Sequence, residues 1–373
     1  MKKVILPMLF LLGILLLGMQ ACKKNGGSST NTGNGNNNNN PGAKTVKDIY
    51  LSGSTTNSSG KSVAMYWKNE TPVLLTDGSR NATAASIFVL GNDVYVAGYQ
   101  DKSGSVLNIA TYWKNGVAFP LGTVGGNFDI ANSIFVVGND VHIAGYERNS
   151  STGKSMAKYW YNGSSTNLTN GSTDGRALSV FVSGADVYVA GYENSGGKNV
   201  AKYWKNGAPV ILPSGSNEAE ALCVFVSGSD VYVGGAAQSS TNGNYQAVYW
   251  KNGVLSYLTI ASDQALVSSI FVSGSDVYAA GIDITAFNYP VVWSKGSQGV
   301  LPQPNLLLIS KGGGASGIVV NGDDIYVSGE LKSDINTNTS IPLYWKNGIG
   351  KVLPSGVSNG GGTSVSNIFL TYQ

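Results

Sequence analysis

Charge is scarce in this chain. Only 12% of its 373 residues are Asp, Glu, Lys or Arg, about half the share of an ordinary soluble domain (~25%). There is a single histidine, His142, and there are two cysteines, Cys22 and Cys223. One histidine excludes a histidine-rich zinc site. No P-loop, GxSxG elbow, CxxC pair or HExxH helix occurs, so no cofactor or catalytic set is implied. There is no polybasic run. With Lys2 and Lys3 removed in a leader and no acid before Cys22, 22 basic and 21 acidic residues remain, a net charge of +1. That balance excludes a nucleic-acid binder and argues against electrostatic docking on anionic lipid. The longest apolar run, residues 4–19, is shorter than the ~20 residues a membrane helix needs.

What is abundant is glycine, with 50 residues, roughly twice its usual ~7% share. Together with Ser, Asn, Val and Tyr it indicates short strands joined by tight turns. The N-terminus reads as an address. Met1-Lys2-Lys3 is a positive n-region, residues 4–19 (VILPMLFLLGILLLGM) an apolar h-region, and Met19-Gln20-Ala21-Cys22 the cleavage region. This resembles a bacterial lipobox, with Ala21 as the small residue before the Cys; Met19 and Gln20 depart from the usual pattern. The resemblance implies a signal peptide over 1–22, with Cys22 lipidated. Residues 23–45 (KKNGGSSTNTGNGNNNNNPGAKT) offer nothing apolar to bury, so they are expected to be a disordered tether with an r.m.s. reach of about 25 Å. Two or three acyl chains would anchor the chain stably.

Residues 46–373 are repeats. SIFVLGNDVYVAGY (86–99) recurs as SIFVVGNDVHIAGY, SVFVSGADVYVAGY, CVFVSGSDVYVGGA, SIFVSGSDVYAAGI and GIVVNGDDIYVSGE. KDIYLSG (47–53) is the back half of one more copy and SNIFLTY (366–372) the front half of another. The marker acids Asp48, Asp93, Asp140, Asp186, Asp230, Asp276 and Asp324 recur every 44–48 residues. A second phrase, such as TYWKNG (111–116), follows each, and all 7 Trp fall within it. Two independent markers thus count seven copies. Each copy reads as four strands: SIFV, VYVAG, AxYW and, after the Asn-Gly hairpin signal, a short outer strand. Seven four-stranded units of about 45 residues predict an all-β, seven-bladed β-propeller. The half-copies predict that the C-terminal strand pairs with the N-terminal blade to close the ring and remove its edges.

The repeats resemble kelch and other short-repeat bacterial propellers over residues 46–373. They lack the Trp-Asp dipeptide of WD40 blades and the paired glycines of kelch. They look most similar to secreted bacterial proteins with YWKNG and DVYVAGY phrases. The resemblance implies architecture and location, not an activity.

Few residues stand out for chemistry. His142 occupies a slot filled elsewhere by Tyr50, Tyr95, Tyr188, Tyr232, Tyr278 and Tyr326, so it reads as a core ring. Cys223 fills the slot of Ser86, Ser133, Ser179 and Ser269 and reads as a buried small residue. The repeated Asp residues are expected to satisfy backbone groups of their own turns, and the Trp residues to pack between blades. Asp334, Asn336 and Asn338 have the alternate spacing of a calcium loop, without its Gly at the sixth position or its Glu at the twelfth.

Two connections per repeat, the GxD turn and the KNG turn, are short and uniform; they belong on one face of the disc. The other two vary and lie opposite, where function usually resides. Polar residues there include Glu147, Arg148, Glu193 and Asp283 after the second strand. Asp129, Asp174, Arg176, Glu218 and Glu220 are assigned to inter-blade loops. Arg176 and Glu220 share a register four residues before the inner strand, which would bring them together at the channel mouth. The bland alternative is solvated loops with an incidental ion pair worth ~0–1 kcal/mol.

The candidate ligand-binding set is therefore Glu147, Arg148, Glu193, Asp283, Arg176 and Glu220. The expected function is a lipid-anchored, monomeric surface binding module of the cell envelope, on the outer membrane or cell surface, that takes a glycan, peptide or protein partner. One alternative is a glycoside hydrolase or polysaccharide lyase using two of these carboxylates. Another is a structural envelope component that docks through the apolar segment Leu306–Ile309.

Overall fold

Alternating apolar and turn residues become 28 β-strands, with no helix among the described residues. The computed structural model describes residues 43–102, 107–122, 128–149, 151–215, 217–285, 288–302, 312–332, 339–357 and 361–373. Cys22, residues 23–42 of the tether, the segment Leu306–Ile309, and Asp334, Asn336 and Asn338 lie outside the described residues. The last tether residues are described, and Lys44 exchanges two hydrogen bonds with Asn321.

The strands, numbered β1–β28 along the chain, form seven four-stranded antiparallel sheets. Six blades are continuous in sequence; blade 2, for example, is β4 (Ala82–Leu90), β5 (Asp93–Asp101), β6 (Asn108–Lys114) and β7 (Val117–Pro120). Blade 1 is built from both chain ends. Its inner strand β28 (Thr363–Tyr372) pairs with β1 (Val46–Thr56), which continues to β2 (Ser62–Lys68) and β3 (Thr71–Leu74). Tyr50 faces Phe369 and Leu51 faces Ile368 in that ladder. The other inner strands are β8 (Phe128–Val137), β12 (Gly175–Ser183), β16 (Ala219–Ser227), β20 (Ala265–Ser273) and β24 (Gly313–Asn321). Each inner strand lies against the next, and β28 lies against β4, so the ring closes as the half-copies predict.

Each blade is locked by its turns. In the KNG hairpin of blade 2, Asn115 has φ 51° and Gly116 φ 82°, the left-handed pair a two-residue turn of this hand requires. Asn115 Oδ1 accepts from the Val94 amide at 2.9 Å while its Nδ2 donates to Asp93 Oδ1 at 2.8 Å. The same exchange joins Asp140 to Asn162, Asp186 to Asn206, Asp230 to Asn252 and Asp324 to Asn347. The marker Asp therefore pins the neighbouring hairpin, often with a Lys (Lys114 at 2.9 Å from Asp93), rather than serving its own turn's backbone as expected.

The Trp residues are buried between blades. Trp250 of blade 5 packs on Tyr188, Ala190 and Leu212 of blade 4 and donates its Nε1–H to the Pro213 carbonyl at 2.8 Å. Trp67 and Trp345 make the corresponding bonds to Pro354 and Pro302.

The inner strands carry a β-bulge that sequence reasoning missed. Register slips between Ala84 and Ser86, Ala131 and Ser133, Ala177 and Ser179, and Ala221 and Cys223, and likewise in β20 and β24. A bulge bends the strand and re-aims its side chains. Here it drives one carbonyl against the Gly of the VAGY phrase: a Cβ on Gly191 would fall on the Arg176 carbonyl oxygen. That Gly accordingly lies inside its strand rather than ending it. The ladder also continues past the bulge, so Asp129, Arg176 and Glu220 lie within β8, β12 and β16, not in loops, and Glu147, Arg148, Glu193 and Asp283 lie within the second strands rather than after them.

Below the bulges, six Phe rings line the channel. Phe369, Phe88, Phe135, Phe181, Phe225 and Phe271 stand 4.8–5.0 Å apart, centroid to centroid, with Val319 in the seventh register. Hydroxyls stitch the blades together just above them: Ser86 Oγ accepts from the Ile134 amide and Ser133 Oγ from the Val180 amide, at 3.3 and 3.1 Å. A cavity of about 280 Å³ lies between Phe rings and bulges.

Candidate functional site

The blades differ at the variable end of the channel. Just before the bulge, the cross-strand pairs are Thr83 with Tyr99, Ile130 with Tyr146, Arg176 with Tyr192, Glu220 with Ala236, Leu266 with Ile282, Gly314 with Glu330 and Ser364 with Ser54. One register further out they are Ala82 with Gln100, Asp129 with Glu147, Gly175 with Glu193, Ala219 with Ala237, Ala265 with Asp283, Gly313 with Leu331 and Thr363 with Thr55. Five of the seven charged side chains of these registers, Asp129, Glu147, Arg176, Glu193 and Glu220, lie in blades 3, 4 and 5; the other two are Asp283 and Glu330.

In blade 3, Glu147 on β9 (Asp140–Arg148) is held by Lys158 on β10 (Ser155–Tyr161), with Nζ 2.6 Å from Oε2 and both side chains mostly buried. Across the ladder, Asp129 is only 2% exposed and its Oδ1 has no hydrogen-bond partner. Burial, and then the Glu147 charge, push its carboxyl up to about 6, against the pull of Lys158. Blade 4 repeats the ion pair: Lys202 Nζ lies 2.6 Å from Glu193 Oε2. The two lysines replace Thr111, Val248, Val291, Leu343 and Met65 of the other repeats.

The sign of the Asp129 effect is fixed. Its folded-state pKa is raised above 3.8, so the stability it allows is complete below pH 4 and is lost as pH rises through about 6. Asp129→Asn is expected to raise stability at pH 8 by about 1–2 kcal/mol and to flatten the fall in melting temperature between pH 4 and 6. Melting curves across that range check it; an unchanged slope would show that Asp129 ionises normally.

Arg176 and Glu220 occupy adjacent inner strands but form no ion pair. The Arg176 guanidinium carbon lies 4.8 Å from the Tyr146 ring centroid, and its Nε is buried without an acceptor. Glu220 accepts instead from Asn199 Nδ2 at 2.7 Å, and Glu218 Oε1 lies 3.3 Å from the Asn199 amide nitrogen. Asn199 lies on β14 (Lys198–Lys205). Tyr245 also bonds Glu218; burial, and then that bond, raise its phenol pKa. Burial chiefly raises the Glu220 carboxyl, with Arg176 opposing. Tyr192, buried beside these charges, is pushed up to about 12.

The remaining candidates stand apart. Asp283 in blade 6 accepts from the Thr285 amide at 3.0 Å and from Gln298 Nε2 at 3.1 Å. Arg148 is exposed and its Nε donates to the Gly153 carbonyl at 3.1 Å, bracing its own loop. His142 is buried, with Nδ1 2.6 Å from the Tyr159 hydroxyl, and burial lowers its pKa. Burial pushes the Cys223 thiol up to about 12, which leaves little thiolate for chemistry. Among the described residues no group of three or more His, Cys, Asp or Glu could hold a metal ion.

Sequence reasoning passed over Lys158, Lys202, Asn199, Tyr146 and Tyr192 and left Asp129 among loop acids. For the two lysines the signal was present, since they replace Thr111, Val248, Val291, Leu343 and Met65 of the other repeats; their partners Glu147 and Glu193 were hidden because the ladder, not the spacing, brings them together.

No family model and no curated protein matches the chain. Among solved structures it resembles a Mycobacterium tuberculosis puromycin-hydrolyzing peptidase, with TM-score 0.55 and 10% identity, over 85% of this chain and 53% of that one. TolB from Acinetobacter baumannii aligns with TM-score 0.42 and 10% identity, over 85% of this chain and 66% of TolB. The chain thus spans about half of the first and about two thirds of the second. At this identity the first likeness shows the fold alone, and the second adds nothing to it.

Proposed function

We propose that the propeller is a binding module whose ligand face is the channel mouth over blades 3–5. The observation that carries this reading is the asymmetry of a near-repetitive ring. Arg176 and Glu220 stand at an inner-strand register that holds Thr83, Ile130, Leu266, Gly314 and Ser364 in the other blades, with Tyr146, Tyr192, Glu193 and Glu218 in the same sector. Aromatic faces beside hydrogen-bonding charges suit a glycan, a peptide or a protein loop. In this reading the lipidated Cys22 and the tether over 23–45 hold the module at the cell envelope.

Carboxylate chemistry is a second reading, favoured by the Asp129–Glu147 pair. Directly opposed residues place Cβ atoms about 4.5–5.5 Å apart, and retaining hydrolases hold their carboxyls ~5–5.5 Å apart. Against it, Asp129 is almost fully buried and Lys158 already neutralises Glu147, so binding ranks first.

The test is thermal stability of the full chain against glycans, peptidoglycan fragments and short peptides. A ligand at 100 times its dissociation constant adds about 2.7 kcal/mol. We expect a shift that Tyr146→Ala and Glu193→Gln reduce. A shift unaffected by every mouth variant would move the site elsewhere; turnover of a glycan that Glu147→Gln abolishes would promote the enzyme reading.

A further inference from the structure

The charged residues of the mouth fall into two groups. Glu147 and Glu193 are each held at 2.6 Å by a lysine, and Asp174 stands 3.6 Å from Lys154. Arg176, Glu218 and Glu220 have no counter-ion among the described residues. Arg176 makes neither a hydrogen bond nor an ion pair there; it only stacks on Tyr146, and its buried Nε lacks an acceptor. Glu218 and Glu220 are held by neutral partners alone, Asn199 bonding both and Tyr245 bonding Glu218.

A half-buried guanidinium without an acceptor forgoes strong hydrogen bonds, and Glu220 is close enough to feel its charge without reaching it. The two signs thus sit at one register of the adjacent inner strands β12 and β16, Arg176 on Tyr146 and Glu220 on Asn199, neither neutralising the other. A purely anionic ligand would gain at Arg176 and be repelled by two carboxylates; a purely cationic one meets the reverse. A ligand with a carboxylate and an ammonium a few ångströms apart satisfies both.

We propose that Arg176 together with Glu218 and Glu220 forms a subsite for a zwitterionic ligand, an amino acid or a short peptide with free termini. Arg176 takes the carboxylate, its guanidinium plane fixed by the Tyr146 face. Glu218 and Glu220, aligned by Asn199, take the ammonium. This rests on the reading of the blade 3–5 mouth as the ligand face and narrows its ligand class.

The experiment is calorimetric titration of the full chain with dialanine, N-acetyl-dialanine, dialanine amide and a neutral chitotriose. The expected result is binding of dialanine, with each blocked form weakened at least about tenfold. Arg176→Gln should abolish the advantage of the free carboxylate and keep that of the free amine. The double change Glu218→Gln, Glu220→Gln should do the opposite. Unchanged melting temperatures of both variants would separate these losses from misfolding. Equal binding of free and blocked peptides, or of chitotriose alone with sensitivity to Tyr146→Ala, overturns the zwitterion assignment and leaves the ligand face standing. No binding of any probe overturns the assignment; the face itself is then judged by the wider ligand panel.

Discussion

A chain ending at Gly362, without β28, is expected to lose its cooperative melting transition and to aggregate. β28 supplies the whole inner strand of blade 1. It buries Val365, Ile368 and Leu370 to 3–4% exposure and places Phe369 beside Phe88 in the channel ring. Three such side chains are worth about 1.5–3 kcal/mol each, and total stability for a folded protein is typically ~5–15 kcal/mol. Removal also strips β1 of its partner from Val46 to Thr55, exposing an unpaired edge that recruits other chains. A circular permutant separates the loss of closure from the loss of the old terminus. Tyr372 pairs with Val46, so a short linker can join the two, and the chain can be opened at the Asn206–Gly207 turn. That permutant should melt within a few degrees of the parent, as measured by circular dichroism. A truncated chain that melts cooperatively at the parental temperature would show that six blades and an open edge suffice.

Gly191→Ala is expected to cost about 3 kcal/mol or more, at the upper end of what overpacking usually costs. The added methyl would collide with the Arg176 carbonyl and crowd Ala177 Cα. Both are backbone atoms of a strand fixed on each side by neighbouring blades, so no side chain can swing away. At about 2–4 °C per kcal/mol, the melting temperature should fall by about 6–12 °C. Gly299→Ala is the control. Its Cβ would meet nothing nearer than 3.9 Å, and its effect should stay within about 0.5 kcal/mol. A loss below 1 kcal/mol at Gly191 would mean that the bulge relaxes, and the repeated Gly would need another explanation. The same change displaces the strand that carries Arg176, so dialanine binding should weaken with stability.

The two variants bear on different levels of legibility. Closure was readable because KDIYLSG and SNIFLTY are complementary halves of one phrase. Any chain with such halves gains the most by pairing them. The bulge was not readable. Nothing in Ala-x-Ser states that the residue between is extra, because a ladder's register is settled by the strand opposite. The marker Asp illustrates the same limit. Its presence in a turn was legible; its partner, an Asn 20–23 residues further on, belongs to a different hairpin brought beside it by the sheet.

The sequence by itself determined the repeat count, the all-β class, the four strands per blade, the closure and the two faces of the disc. Those follow from periodicity, turn residues and local hydrogen bonding, and closure from two half-copies that complete one repeat. Only the tertiary structure decided which polar residues share the mouth, that Arg176 and Glu220 stay unpaired, that lysines neutralise Glu147 and Glu193, and that Asp129 is buried. Those depend on a one-residue bulge and on contacts between separate strands and neighbouring blades. Charge pairing and burial are set by position in space, and sequence spacing does not encode it.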